Sequence, residues 1–322
     1  MSAPILVQSP KDITVRVNPA EWQVPLVLGE FEIFLRTRDL ELEYRILRVL
    51  TEDANMIARL FRSEPTKDRY RDIHPFFENR VVLEGGGYVN ASFMPSHDGL
   101  VEKAYIACQG PLNGTMRDHW AMVWENSVHA IFAIGHLREG GVEKCVKYWP
   151  SGVGSVMSGV GEFEILVESE ELLMHGALKL TKLKVTRSPH ESSVSVSHYH
   201  FTGWPDHGIV EPIHLVGLVR ELNRWVKRGT FEGLHPVVVH CSAGVGRTGC
   251  VLTLSHIMES VLQQMVSGKS LRDCRVSVLK TALNLRKYRL YMLQRTGQYV
   301  LIYQCLALLV AKHPGEFSHQ LI

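Results

Sequence analysis

The chain has 322 residues, 45% of them hydrophobic and 21% charged, with 35 basic and 33 acidic side chains for a formal net charge of +2. This is the composition of a globular chain and excludes a disordered or fibrous one; so balanced a charge carries no polyanion signal and argues against nucleic acid as a partner. Six cysteines lie far apart without C-x-x-C or other metal-like spacing, so they read as reduced thiols, with neither a disulfide framework nor a metal site.

In chain order, residues 1–30 carry Pro4, Pro10, Pro19 and Pro25, a density that disfavours a continuous helix, and they read as an N-terminal extension. The start lacks a basic segment followed by a long apolar one, so no secretory signal is expected and the cytoplasm is the expected location. From Phe31 to Phe61 apolar residues recur at helical spacing. Between Tyr88 and Ile213 short β-rich runs alternate with turn signals, interrupted by a predicted helix at Met116–Asn126. From Pro212 onward helices dominate, broken by one strand at Pro236–His240. The longest uncharged stretch, Thr296–Ala311, is too short to span a bilayer and reads as a buried helix. No repeat or linker divides the chain, so the reading is one α/β domain over 31–312 with a tail at 313–322.

The densest signal is P-V-V-V-H-C-S-A-G-V-G-R-T-G-C at Pro236–Cys250. A β-branched run ends at His240, Gly244, Gly246 and Gly249 punctuate the residues after it, and an apolar helical pattern begins near Thr248: strand, tight loop, helix. A Gly-rich turn of this kind points successive N–H groups inward, and the following helix N-terminus adds partial positive charge. The loop through Ser242, Ala243, Gly244, Val245 and Gly246 is therefore built for an anion. Phosphate suits it, because Arg247 adds a planar two-pronged clamp that lysine does not offer.

Cys241 opens the same loop. A thiol among inward N–H dipoles and beside a guanidinium is expected to ionise below its usual value of about 8.5, within roughly 3.5–7.5. Such a thiolate can attack the phosphorus of a phosphoester and form a cysteinyl-phosphate. Thr248, just past the arginine, carries a hydroxyl suited to assisting departure of the sulfur in the second step. The plainer alternative, a buried structural cysteine beside a surface arginine on a turn, is weakened by the glycines, the strand before and the helix after.

At this point the sequence resembles a family. His240–Gly249 is similar to the signature loop of the cysteine-dependent, tyrosine-specific protein phosphatases, and further motifs of that family recur in order across Lys67–Tyr303. K-D-R-Y-R-D-I at Lys67–Ile73 resembles the phosphotyrosine-recognition loop. Y-V-N-A-S at Tyr88–Ser92 and Y-I-A-C-Q-G-P-L at Tyr105–Leu112 resemble core motifs. E-K-C-V-K-Y-W-P at Glu143–Pro150 ends a loop and strand of the type holding Glu139 and Lys144. H-F-T-G-W-P-D-H-G at His200–Gly208 resembles the mobile acid loop, and R-K-Y-R-L-Y-M-L-Q-R-T-G-Q-Y at Arg286–Tyr299 the glutamine-bearing segment. The compact single-domain form is similar to protozoan members of the family.

The resemblance implies a highly twisted mixed β-sheet flanked by helices, and hydrolysis of phosphotyrosine in proteins with no cofactor and no metal; the oligomeric state is unknown from the sequence, a monomer being the expectation. It makes Asp206, between Gly203 and Gly208 as hinges, the acid that protonates the leaving phenolate and then activates water. Gln294 and Gln298 orient that water. Tyr70 walls a pocket deep enough to select phosphotyrosine by reach, and Asp72 accepts hydrogen bonds from the substrate backbone. His240 supports the nucleophile from behind, and Arg286 and Arg289 support the loop and the closing Trp204. Read alone, W-P-D-H-G and R-Y-R-D are surface turns and the two arginines an ordinary exposed basic face.

Three departures stand out. Asp68 occupies a position where the family commonly has asparagine, and is expected to add negative charge beside the recognition loop and weaken binding of acidic peptides. His207 replaces an aromatic or aliphatic residue, so its imidazole is expected to tune loop closure or the acidity of Asp206. Cys108 replaces a hydroxyl residue and reads as packing. A competing reading, a binding module that has lost turnover, is opposed by the retention of Asp206 and Cys241; a dual-specificity phosphatase or sulfur transferase is opposed by Tyr70 and the length of the domain.

Overall fold

The computed structural model describes residues 4–8, 14–62, 64–188, 192–205, 208–232 and 235–311, leaving aside the side chains of 227–234. The proline-rich start is a hairpin, Ile5–Gln8 paired antiparallel with Thr14–Val17, which sends Val7 and Val17 into the core. The helical signal of 31–61 becomes three helices, α1 (Phe31–Thr37), α2 (Leu40–Thr51) and α3 (Ala54–Ala58). Two aspartates make the breaks. Asp39 accepts from the Leu42 amide at 2.9 Å and Asp53 from the Met56 amide at 2.8 Å, each capping the next helix.

Nine strands form the main sheet: β1 (Arg80–Val82), β2 (Tyr88–Met94), β3 (Tyr105–Cys108), β4 (Ala130–Ile134), β5 (Val156–Val160), β6 (Phe163–Leu173), β7 (Leu178–Arg187), β8 (Ser193–Phe201) and β9 (Val237–His240), in spatial order β5-β6-β7-β8-β4-β9-β3-β2-β1. The inner block β8-β4-β9-β3 is parallel and both flanks are antiparallel. Helix α4 (Met116–Glu125) covers one face; α5 (Pro212–Glu232), α6 (Gly246–Val266), α7 (Val278–Arg286) and α8 (Thr296–Ala311) cover the other. This is the mixed sheet flanked by helices that the resemblance implies. A second short strand, Arg275–Val276 paired with Leu26–Val27, escaped the sequence reading, and α6 begins two residues before the predicted start at Thr248.

Strand periodicity explains the two-sided core. On β9, Val237 and Val239 join the cluster under α5, α6 and α8, while Val238 joins Trp120 of α4 on the opposite face. Ile131 on β4 and Ile106 on β3 repeat that switch. The four parallel strands end side by side at Phe201, Ile134, His240 and Cys108, so four loops leave one edge of the sheet together, where ligands bind in open α/β sheets.

Behind that edge lies a buried imidazole cluster. The Tyr148 hydroxyl bonds His240 Nε2 at 2.7 Å and His198 Nε2 at 2.9 Å, and the His119 ring lies 4.5 Å from that of Tyr148. Burial holds His119 and His198 well below the usual range and lowers His240 to about 4. In the unfolded chain these rings titrate near 6.5, so between that value and the folded values unfolding takes up protons and stability falls as pH drops. Chemical denaturation across about pH 7 to 4.5 is expected to show stability declining below about pH 6.5 by more than about 1.4 kcal/mol per pH unit, the effect of more than one proton. A flat profile would mean that the rings are not held neutral.

Candidate active site

The loops after β4, β8 and β9, with the segment before β1 and the turn into α8, line a cleft of about 600 Å³ through Tyr70, Asp72, Glu139, Lys144, Trp204, Cys241, Ser242, Ala243, Gly246, Arg247, Gln294 and Gln298. Cys241 directly follows β9. The loop it opens turns its carbonyls away from the cleft, and every one from 241 to 245 meets a donor. Cys241 O faces His240 Nδ1 at 3.1 Å, and Ser242 O accepts from Gly110 N at 2.9 Å. Ala243 O and Gly244 O accept from Arg289 Nη2 and Nε at 3.1 and 2.9 Å, and Val245 O from Gly249 N and Leu293 N at 3.0 and 3.2 Å. The amides of residues 242–248 have no acceptor among the described residues. They form, with the start of α6, a concave array of donors suited to an oxyanion. Gly244 makes the turn with φ 71°, and a Cβ there would lie 2.1 Å from the Cys108 carbonyl oxygen.

Arg247 is aimed by Glu139: Nη2 donates to Oε2 at 3.0 Å and Nη1 to Oε1, a two-pronged pairing that fixes the guanidinium plane. Gly135 makes room for it, since a Cβ there would lie 2.1 Å from Arg247 Nη1. The guanidinium also lies 5.6 Å from the Trp204 ring and reaches the Pro205 carbonyl at 3.4 Å. Asp206 and His207 come next in the chain and lie outside the described residues. Thr248 is wholly buried, with its hydroxyl unpartnered among the described residues.

The Tyr70 hydroxyl and Ser242 Oγ are 2.9 Å apart, and Ser242 Oγ donates to the Lys144 carbonyl at 2.9 Å. Arg69 fastens the recognition loop to the end of β3 through Nε to Gly110 O at 3.0 Å and Nη2 to Pro111 O at 2.7 Å. Gln109 accepts from Arg69 N at 2.8 Å and donates to Lys67 O at 2.7 Å. Asp68 corrects an expectation. Its carboxylate turns inward, accepting from the Tyr88 hydroxyl at 2.6 Å and Asn90 Nδ2 at 2.7 Å beside His74 at 3.1 Å. It holds the loop down and does not present charge to a peptide.

Arg286 and Arg289 are both wholly buried, contrary to the exposed basic face that their spacing alone predicts. Only Arg289 reaches the phosphate loop; its remaining hydrogen bonds go to Asn90 Oδ1 at 2.7 Å and Ser92 Oγ at 3.2 Å. Arg286 bonds the Met292 and Leu293 carbonyls, just before Gln294, and reaches neither the phosphate loop nor Trp204. Gln298 Oε1 accepts from Arg295 N at 3.2 Å, and a Cβ on Gly246 would lie 2.8 Å from its Nε2. Sequence reasoning left Arg69, Asn90, Gln109 and Tyr148 without a role; the available signal, for Asn90 and Gln109, was a polar residue inside or just past an apolar strand, which must be paired.

Of the six free cysteines, Cys241 is the one that lines the cleft. Burial pushes the Cys108 and Cys305 thiols up to about 12 and raises Cys145, Cys250 and Cys274 as well. Among the described residues no group of three or more His, Cys, Asp or Glu could hold a metal ion, and no helix is long and apolar enough to cross a membrane.

Comparison with known proteins agrees with this geometry. Residues 64–308 match the family model described as protein-tyrosine phosphatase. Human tyrosine-protein phosphatase non-receptor type 7 is 36% identical over 260 residues, covering 79% of this chain and 66% of that protein. Rat receptor-type tyrosine-protein phosphatase C is 35% identical over 279 residues, covering 80% of this chain, and human receptor-type tyrosine-protein phosphatase H is 31% identical over 272 residues, covering 82%. The chain spans only 20% and 23% of the length of those two receptor-type relatives. The crystal structure of the catalytic domain of human protein tyrosine phosphatase non-receptor type 18 superposes with a TM-score of 0.74 at 28% identity, over 88% of this chain and all of that one. Because the family model covers residues 64–308, most of the chain, the chain belongs to the protein-tyrosine phosphatase family.

Proposed function

We propose that the chain hydrolyses phosphotyrosine in proteins through a cysteinyl-phosphate. The observation that carries this reading is the convergence, at one cleft floor, of Cys241, unpartnered loop amides and an arginine held flat by Glu139. The phosphate oxygens accept from the amides of 242–247 and from Arg247, which stabilises the charge gathered in transfer. The Cys241 thiolate attacks phosphorus, the P–O bond to the phenol breaks, and Asp206, two residues beyond Trp204, gives its proton to the departing oxygen. Water held by Gln294 and Gln298 then attacks phosphorus, its proton passes to Asp206, and the P–S bond breaks with the Thr248 hydroxyl donating to the departing sulfur. Tyr70 and Asp72 take the ring and the peptide backbone, with Lys144 also in the lining of the cleft. The six free cysteines favour a reducing compartment, in keeping with a cytoplasmic location.

Two measurements test this reading. With an aryl phosphate and matched phosphotyrosine and phosphoserine peptides, Cys241→Ser is expected to lose turnover while still binding, Asp206→Ala to slow by roughly 10²–10⁴-fold, and the wild type to prefer phosphotyrosine. Equal rates on both peptides would refute the tyrosine assignment. Separately, iodoacetate at about pH 6 is expected to label Cys241 ahead of the other five thiols, which do not line the cleft, with inorganic phosphate protecting it. Labelling spread over several cysteines, or indifferent to phosphate, would count against Cys241 as the nucleophile.

A further inference from the structure

The turn that delivers Gln294 is strained. Tyr291 and Leu293 have φ of 65° and 59°, in the left-handed region that disfavours bulky side chains. Contacts must therefore hold it, and two come from the loop and from α7. Leu293 N donates to Val245 O at 3.2 Å, and Arg286 donates to Met292 O at 2.8 Å and Leu293 O at 3.0 Å. Arg286 is in turn held from the far side, where Nη1 donates to Thr51 Oγ1 and Glu52 Oε1, both at 2.9 Å. Thr51 ends α2, and Glu52 caps it while also pairing with Arg48.

The other end of the same helix grips the other glutamine-bearing element. Glu43 is 1% exposed, and its Oε1 accepts from the Tyr299 and Tyr303 hydroxyls, each at 2.5 Å. Both tyrosines stand on α8, whose first turn carries Gln298. Residues 43 and 52 lie about 13 Å apart along one helix, and that helix precedes the segment matched to the family.

We infer that α2 is a splint for the water-orienting glutamines. Glu52, through Arg286, is a positioning residue that aims Gln294, and Glu43 anchors the helix carrying Gln298. The splint governs hydrolysis of the cysteinyl-phosphate and leaves its formation alone. This rests on the proposed phosphatase function, in which Gln294 orients the attacking water.

The test separates the two chemical steps by stopped-flow with an aryl phosphate. For a two-step reaction kcat/KM reports formation of the intermediate, and kcat its breakdown when that is slow. Glu52→Gln is expected to give a burst of one phenolate per enzyme, a kcat about 10- to 100-fold lower, and kcat/KM within about twofold of wild type. Thr51→Val, which keeps the carboxylate, gives a smaller version of the same signature and carries the test if Glu52→Gln does not fold. Gln294→Ala shows the same burst, and adding Glu52→Gln to it changes kcat little, because both act on one step. A parallel fall of kcat and kcat/KM without a burst, full additivity with Gln294→Ala, or no change at all overturns the inference. A wild type inert toward aryl phosphates overturns the phosphatase reading itself, an outcome distinct from a missing burst.

Discussion

A loop that offers several amide hydrogens to one point must turn its carbonyls the other way, into protein, where each needs a donor. A buried carbonyl left unpaired costs about 1–3 kcal/mol, so a donor cradle is only as good as the support behind it. In this chain the support comes from just past β3 through Gly110, from the segment after α7 through Arg289, from the turn before α8 through Leu293 and from α6 through Gly249. The first of these lies in the first half of the sequence and the other three in its last third. That is the physical reason why a loop of a few residues requires an entire domain to shape it.

The same logic accounts for the buried arginines. A desolvated charge is costly unless its partners are complete. Arg289 spreads its donors over two loop carbonyls, Asn90 and Ser92; Arg286 spreads its own over two turn carbonyls, Thr51 and Glu52. A guanidinium suits both places because it is a rigid fork that ties separate backbones together. Asn90 extends the tie: its side chain joins Arg289 on one side and Asp68 and Ile73 O on the other, linking phosphate loop to recognition loop. Donors fixed before substrate arrives need no reorganisation during the reaction.

The legible part of the sequence rested on local physics. Alternation and β-branching marked the strands, glycines marked the cysteine loop, and the uncharged stretch at 296–311 coincides with α8. The illegible part depended on the order of strands in space. The central block runs β8-β4-β9-β3, so nothing local says that Gly110, Glu139, Trp204 and Cys241 share one edge. Arg286 and Arg289 sit three residues apart and carry the same charge, and periodicity could not tell that each answers a different set of carbonyls. Asp68 looked like surface charge because its partners, Tyr88, Asn90 and His74, are spread over different segments. The caps Asp39 and Asp53 were readable, and they divide the helical signal of 31–61 into three helices.

The four loops that leave one edge of the sheet each spring from a different strand. A lengthened or rewritten connection at one of them leaves the registers of the other three intact. Tyr70 and Asp72 belong to a segment that springs from none of these four strands, so along a lineage the rim of the cleft can be rewritten while Glu139, Cys241 and Arg247 stay put, and a relative with a different clientele needs no new scaffold.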